Sequence, residues 1–340
     1  MSSASTNRST PSKAEGEEEI SLKKRFLNIQ TLISFAIAFA IIFFLLTRLN
    51  ISEIASIWER VRGSNPLLLF LAFVAYYASF PVRGLRWRLL LNNVGFRKSQ
   101  GVEMPSTWGL GEMILLSWFA NCVVPARLGD AYRAYLLKKN AGVSFSTTIG
   151  TVLAERIIDM IILFVLLAVS GLGVLRGSNT GIAIKVLIAG FGMVVLLGIA
   201  LLAMRRFGSR FQRLLPLKLR SAYQSFQDGT LGSFQQLPLV TCLSLATWLL
   251  EAGRLLFVVQ ALGMSLSLPM ILFVALAHSM LTVIPFTPGG LGLAEAGMVG
   301  LLMLSLPKEP AMSITFLDRA IAYWSIVVFG FILFLFSRKK

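Results

Sequence analysis

Arg127 and Arg133 flank a break, Pro125-x-Arg127-x-Gly129-Asp130, inside otherwise apolar sequence. Arginine is the side chain whose planar fork gives a phosphate two parallel hydrogen bonds. A second break, Pro285-x-x-Pro288-Gly289-Gly290-x-Gly292-x-x-Glu295, is rich in the same punctuating residues. Breaks of this kind free backbone groups, and a helix that restarts after one turns a positive dipole end toward an anion such as a phosphate. Gly289, Gly290 and Gly292 are expected to let a head group approach the backbone closely. The plainer reading is glycine for close helix packing. Asp130 and Glu295 read as caps for the freed amides. Glu155 and Asp159 are four apart, hence on one helical face, with Arg156 beside them. Ionisable groups within an apolar span are costly and face a partner or a wet cavity, so this cluster is expected to line a translocation path or couple to an ion. Asp318 and Arg319 form its counterpart. Glu251 and Arg254, at i and i+3, read as an internal ion pair that sets helix rotation. His278, the single histidine, lies seven residues before Pro285 and is a candidate proton relay, or more plainly a packed histidine.

The two breaks are copies. At an offset of 163 residues, Pro125, Leu128, Gly129 and Ala131 fall on Pro288, Leu291, Gly292 and Ala294, and Glu155-Arg156 falls on Asp318-Arg319. An offset of 168 carries Arg86 and Gly95 onto Arg254 and Gly263. A match sustained over this length is an internal duplication.

The elements that must hold these residues are apolar helices. With 56% hydrophobic and 14% charged residues, the 340-residue chain has repeated runs of the length that crosses a bilayer core. Full spans are expected at about 31–47, 66–82, 148–174, 181–204, 238–262 and 318–336. The net charge of +16 sits between apolar runs, which excludes a nucleic-acid-binding fold. Distributing the Lys and Arg clusters by the positive-inside rule favours a topology in which neither broken stretch crosses fully. The clusters placed inside are Lys23–Arg25, Arg83–Lys98, Arg127–Lys139, Arg205–Arg220 and Arg338–Lys340. The expected fold is therefore an all-α polytopic membrane protein of two inverted repeats, each three transmembrane helices plus one re-entrant broken-helix hairpin. Residues 1–20 read as a disordered cytoplasmic tail without a signal peptide. Residues 21–175 form the first repeat, re-entrant at about 110–140. Residues 176–340 form the second, with a basic amphipathic segment at about 205–236 suited to anionic lipid and a re-entrant stretch at about 269–306. Cys122 and Cys242 read as buried small side chains rather than a disulfide or metal pair. There is no Walker loop, dinucleotide fingerprint or HExxH, so neither a cofactor nor a metal is expected.

Pro125-x-Arg127-x-Gly129-Asp130-x-x-Arg133, Thr151-x-x-x-Glu155-Arg156-x-x-Asp159 and the second break together resemble the lysylphosphatidylglycerol synthase transmembrane-region family, over about residues 21–337. Asp130 stands where that family usually carries Glu. The resemblance implies a flippase-like domain that moves a phospholipid or polyprenyl-linked lipid between leaflets of a bacterial or archaeal plasma membrane, with both termini cytoplasmic. Lysyl transfer is not expected of a chain that ends directly after its last span. Two other classes stay open: a non-catalytic membrane subunit beside a separate transferase, and a membrane-embedded lipid-modifying enzyme with Glu155 or Asp159 as base.

Overall fold

The computed structural model describes residues 51–124, 127–174, 180–283 and 287–339. The tail at 1–20, the expected span at about 31–47, Pro125 and Pro285 lie outside the described residues. From the first described residue the helices are α1 (Ile51–Arg62), α2 (Pro66–Asn93), α3 (Thr107–Val123), α4 (Gly129–Ala141), α5 (Phe145–Val174) and α6 (Thr180–Leu214). They continue with α7 (Leu217–Gly232), α8 (Leu237–Ala261), α9 (Leu268–Val283), α10 (Leu293–Leu302), α11 (Lys308–Arg319) and α12 (Ser325–Phe336). No strand occurs among the described residues. Among the described residues four stretches, Pro66–Gln100, Ile184–Leu214, Leu237–Ala261 and Lys308–Phe336, are long and apolar enough to cross a membrane. This is a polytopic helical membrane protein.

Local chemistry sets the helix ends. Asn65 caps α2, its side chain accepting from the amides of Leu67 (3.0 Å) and Leu68 (3.3 Å), with Pro66 in the first turn. Ser106 does the same for α3 through the Gly109 amide at 3.1 Å. α4 stops at Gly142, whose φ of +67° is the left-handed conformation that glycine adopts freely.

The centre of the molecule is an antiparallel pair, α2 against α8. At one end the Asn65 amide donates to the Ala261 carbonyl (2.8 Å); at the other the Asn93 amide group donates to the Ser233 (3.1 Å) and Gln235 (2.7 Å) carbonyls. α5 lies alongside, with Trp87 Nε1 donating to Thr151 Oγ1 at 3.3 Å. α3 closes on α2 at Gly84, where an added Cβ would come within 3.0 Å of the Gly111 backbone nitrogen. α6 stands apart: 6% of its apolar window is buried, against 28–50% in the other three, so its flank is left for lipid.

Several sequence expectations change here. The second span does not end at Val82 but runs to Asn93, and Arg83 and Arg86, assigned above to a cytoplasmic cluster, are buried at 4% and 0% exposure. An arginine that follows an apolar run ordinarily snorkels to the interface; these two stay inside because carboxylates far away in sequence meet them. The fourth helix continues past Met204 to Leu214, taking Arg205, Arg206, Arg210 and Arg213 with it. The last rod begins at Lys308, ten residues early, through a five-residue π-turn (Ala320–Trp324), so Asp318-Arg319 sits well inside it. α1 was not foreseen; Ser56 Oγ ties it to Glu309 at 2.6 Å. Cys122 is buried, but Cys242 is exposed on the α8 surface.

Candidate functional site: an arginine-walled cavity between the two breaks

The buried faces of α2, α4, α5, α8 and α11 carry two ion-pair clusters, joined by a hydrogen bond from Arg86 to Ser244. Arg86 of α2 bridges α5, its guanidinium 2.7 Å from Glu155 and paired through both nitrogens with Asp159, one contact at 3.0 Å, while also donating to Ser244 Oγ of α8 (2.7 Å). Arg133 of α4 completes Glu155 at 3.2 Å. On the α8 side, Glu251 holds Arg83 at 2.9 Å and Arg254 at 3.3 Å, and Arg254 reaches Asp318 of α11 at 2.7 Å. Two further pairs tie the breaks to the long helices: Arg156–Asp130 at 2.8 Å and Arg319–Glu295 at 2.7 Å. Aromatic faces support the cations, with Arg83 4.6 Å from the Trp118 ring, Arg254 5.3 Å from Tyr76, and Arg319 4.7 Å from Tyr323.

The breaks meet at this network. Arg127, at φ +52°, reaches from the first break to donate to the Thr282 carbonyl near the end of α9 (2.7 Å). Tyr323 donates to the Cys122 carbonyl near the end of α3 (2.9 Å), and Arg319 donates to the Gly289 carbonyl (3.3 Å). Gly289 itself, at φ +57°, lies so close to Tyr323 that a Cβ would fall 2.6 Å from the ring and 3.5 Å from Cys122 Cα. Between the breaks is a cavity of about 130 Å³, walled by Arg83, Arg127, Arg156, Arg254 and Arg319, with Asp159 and Glu251 the two carboxylates facing it. That volume accommodates a phosphate group or a few waters.

Of the residues singled out in the sequence, Arg127, Arg156, Asp159, His278, Gly289 and Arg319 come together on this wall. His278 has Nδ1 3.2 Å from the Ala294 carbonyl. Arg133, Glu155 and Asp318 do not reach the cavity; they are buried at 1%, 3% and 0% exposure, Arg133 lying over the Trp87 ring at 4.5 Å. The amides expected to greet a head group are already used. The Gly129 N–H donates to Asn121 Oδ1 (2.8 Å) and the Gly292 N–H to the Glu295 carboxylate, so Glu295 is a cap and its pair with Arg319 is a strut. A Cβ at Gly290 would meet Thr282 Cα at 3.1 Å; this glycine is packed against protein, which is the plainer of its two readings.

Arg83, Tyr76, Trp118, Trp248 and Tyr323 line the cavity and were missed. One signal was available: Tyr76, Ser79, Phe80, Arg83, Arg86, Trp87 and Leu90 repeat at three- and four-residue intervals, so both arginines belong to the apolar face of α2. Glu251 and Arg254 do form the expected pair. No group of acidic, histidine or cysteine side chains suited to a metal occurs among the described residues. What the arrangement offers is cationic recognition of an anion away from water.

A family model described as the lysylphosphatidylglycerol synthase TM region matches residues 31–330. A UPF0104 membrane protein of Methanocaldococcus jannaschii is 34% identical over 65% of this chain and 95% of its own. Another, from Methanothermobacter thermautotrophicus, is 25% identical over 92% and 95%. A Haloferax volcanii protein named glycosyltransferase AglD is 28% identical over 82% of this chain, which covers 50% of that longer protein.

Proposed function

The chain belongs to the lysylphosphatidylglycerol synthase TM region family, and from that premise we propose that it translocates a lipid, drawing an anionic head group through the cavity between its two breaks. The observation that carries this reading is the wall itself: five arginines against two carboxylates, contributed by the first break and by α2, α5, α8 and α11, with Thr287 and Gly289 of the second break beside them. Phosphate is the anion that lipids bring to such a place, and arginine forks suit it.

The reading includes two inverted repeats with re-entrant hairpins, α3–α4 and α9–α10, entering from opposite faces. Contacts that exchange partners at the sequence offsets support it. The offset of 168 exchanges Arg86–Ser244 with Tyr76–Arg254 and pairs Arg83 with its own copy position, Glu251, as a contact on a two-fold axis would. Arg86–Glu155 and Arg254–Asp318 correspond in the same way. Inverted repeats meeting at broken helices allow a site to open to either side in turn.

In liposomes holding the purified protein and a fluorescent anionic phospholipid, Arg127→Ala should abolish movement of the lipid between leaflets while the protein stays folded. Undiminished movement removes Arg127 from the path. A second reading, a membrane subunit serving a transferase, is favoured by the relative named as a glycosyltransferase, half of whose length this chain covers. It predicts co-purification with a transferase and no lipid movement by the chain alone. The lipid-modifying enzyme is less favoured, since its candidate bases Glu155 and Asp159 are both paired with Arg86.

A further inference from the structure

The buried network has a charge count. Arg83, Arg86, Arg133, Arg156, Arg254 and Arg319 each pair with a carboxylate, and the carboxylates they share are Glu155, Asp159, Glu251, Asp318, Asp130 and Glu295. Six cations meet six anions. Arg127 is the seventh guanidinium; among the described residues its partner is the Thr282 carbonyl, a neutral acceptor, and no carboxylate pairs with it. With buried His278 counted as neutral, the site carries one unbalanced positive charge.

Resting on the lipid-translocation reading, we propose that the cavity selects a head group bearing a single negative charge, a phosphodiester, over a doubly charged phosphomonoester, and that Arg127 is the cation which that single charge balances.

Charges away from water are stable only when balanced, and each uncompensated one carries a penalty of several kcal/mol. One negative charge brings seven guanidinium groups and their counter-charges to neutrality; two leave the site as unbalanced as it began, with the sign reversed. A second observation points to an oxyanion. Three donors on the cavity wall have no hydrogen-bond partner among the described residues: Trp248 Nε1, Thr287 Oγ1 and Arg254 Nε, in residues exposed by 8%, 5% and 3%. A buried donor left unmade costs free energy, and the two non-bridging oxygens of a phosphodiester are acceptors that can meet them. Arg127 is suited to the exchange, because the contact it gives up is a single carbonyl rather than an ion pair.

The test is binding by the full chain in detergent, read by isothermal calorimetry at about pH 8, above the second ionisation of a phosphomonoester near 6. The probes are dihexanoyl phosphatidylglycerol against dihexanoyl phosphatidic acid, and a short isoprenyl glucosyl phosphodiester against the isoprenyl monophosphate. Within each pair the diester should bind about tenfold more tightly, roughly 1.4 kcal/mol. The scaffold whose diester binds more tightly identifies the lipid source, and equal binding of the two diesters means the phosphate alone is read. Asp130→Asn removes one negative charge at a half-buried position and should reverse the order toward the monoester. Arg127→Gln leaves the site neutral, so every anion then enters unbalanced: it should weaken both members of each pair, the monoester more than the diester. Monoesters bound as well as or better than diesters by the wild type overturn the charge rule, as does an unchanged order in Asp130→Asn. If no probe binds but lipid still crosses liposomes, the charge rule falls and translocation stands; if neither occurs, both fall.

Discussion

Arg86 has no exposed surface and stands between Glu155 and Asp159, so its replacement matters for what it leaves behind. Arg86→Met should destabilise the protein by about 3–5 kcal/mol, because Asp159 loses its guanidinium partner and Glu155 half of its compensation. Arg86→Lys should recover only part of that, since an ammonium cannot bridge three acceptors with one planar fork. Thermal unfolding in detergent measures both, and an unchanged midpoint in Arg86→Met contradicts the network. Tyr323→Phe is a milder case: it removes one hydrogen bond to the Cys122 carbonyl, with an expected loss of about 1 kcal/mol. The candidate residues were legible in unequal measure. Arg127 stood out as charge beside helix breakers and Arg319 as the copy of Arg156 inside an apolar span, and both are on the cavity wall. Arg133 looked equivalent and is not, because its role depends on Trp87 and Glu155, which come from other helices.

At the level of elements, apolar runs located the starts of α2, α5, α6 and α8 to within a few residues. Thr148 was expected to open a helix that begins at Phe145, and Pro238–Leu262 corresponds to α8 at Leu237–Ala261. The errors fell where a helix keeps going through charge. Hydropathy ends a span at the first arginine, whereas α2 carries Arg83 and Arg86 inside because α5 and α8 supply carboxylates. Closeness between elements is likewise invisible in composition. Gly84 is one glycine among 28, yet it is the point where α3 rests on α2. Gly84→Val should force the Thr107–Gly111 turn away and destabilise the protein by about 1–3 kcal/mol. Gly253→Ala, with open space around it, should leave the melting temperature nearly unchanged and serves as the control.

For the molecule as a whole, the proposed inverted arrangement makes a directional prediction. On a background without Cys122 and Cys242, single cysteines at Lys139 and Lys308 should respond oppositely to a membrane-impermeant maleimide in intact cells. Lys308 should label and Lys139 should not; labelling of both places the two hairpins on the same side and ends the inverted reading. The chain by itself determined the membrane class, through runs of apolar residues that water cannot accommodate. It also determined the duplicated breaks, because proline and glycine interrupt a helix wherever they stand. The tertiary structure decided which charges face the cavity and which are internal struts. An arginine reads the same in sequence whether it faces lipid head groups, a cavity or a carboxylate 168 residues away, and only packing brings its partner near enough to tell.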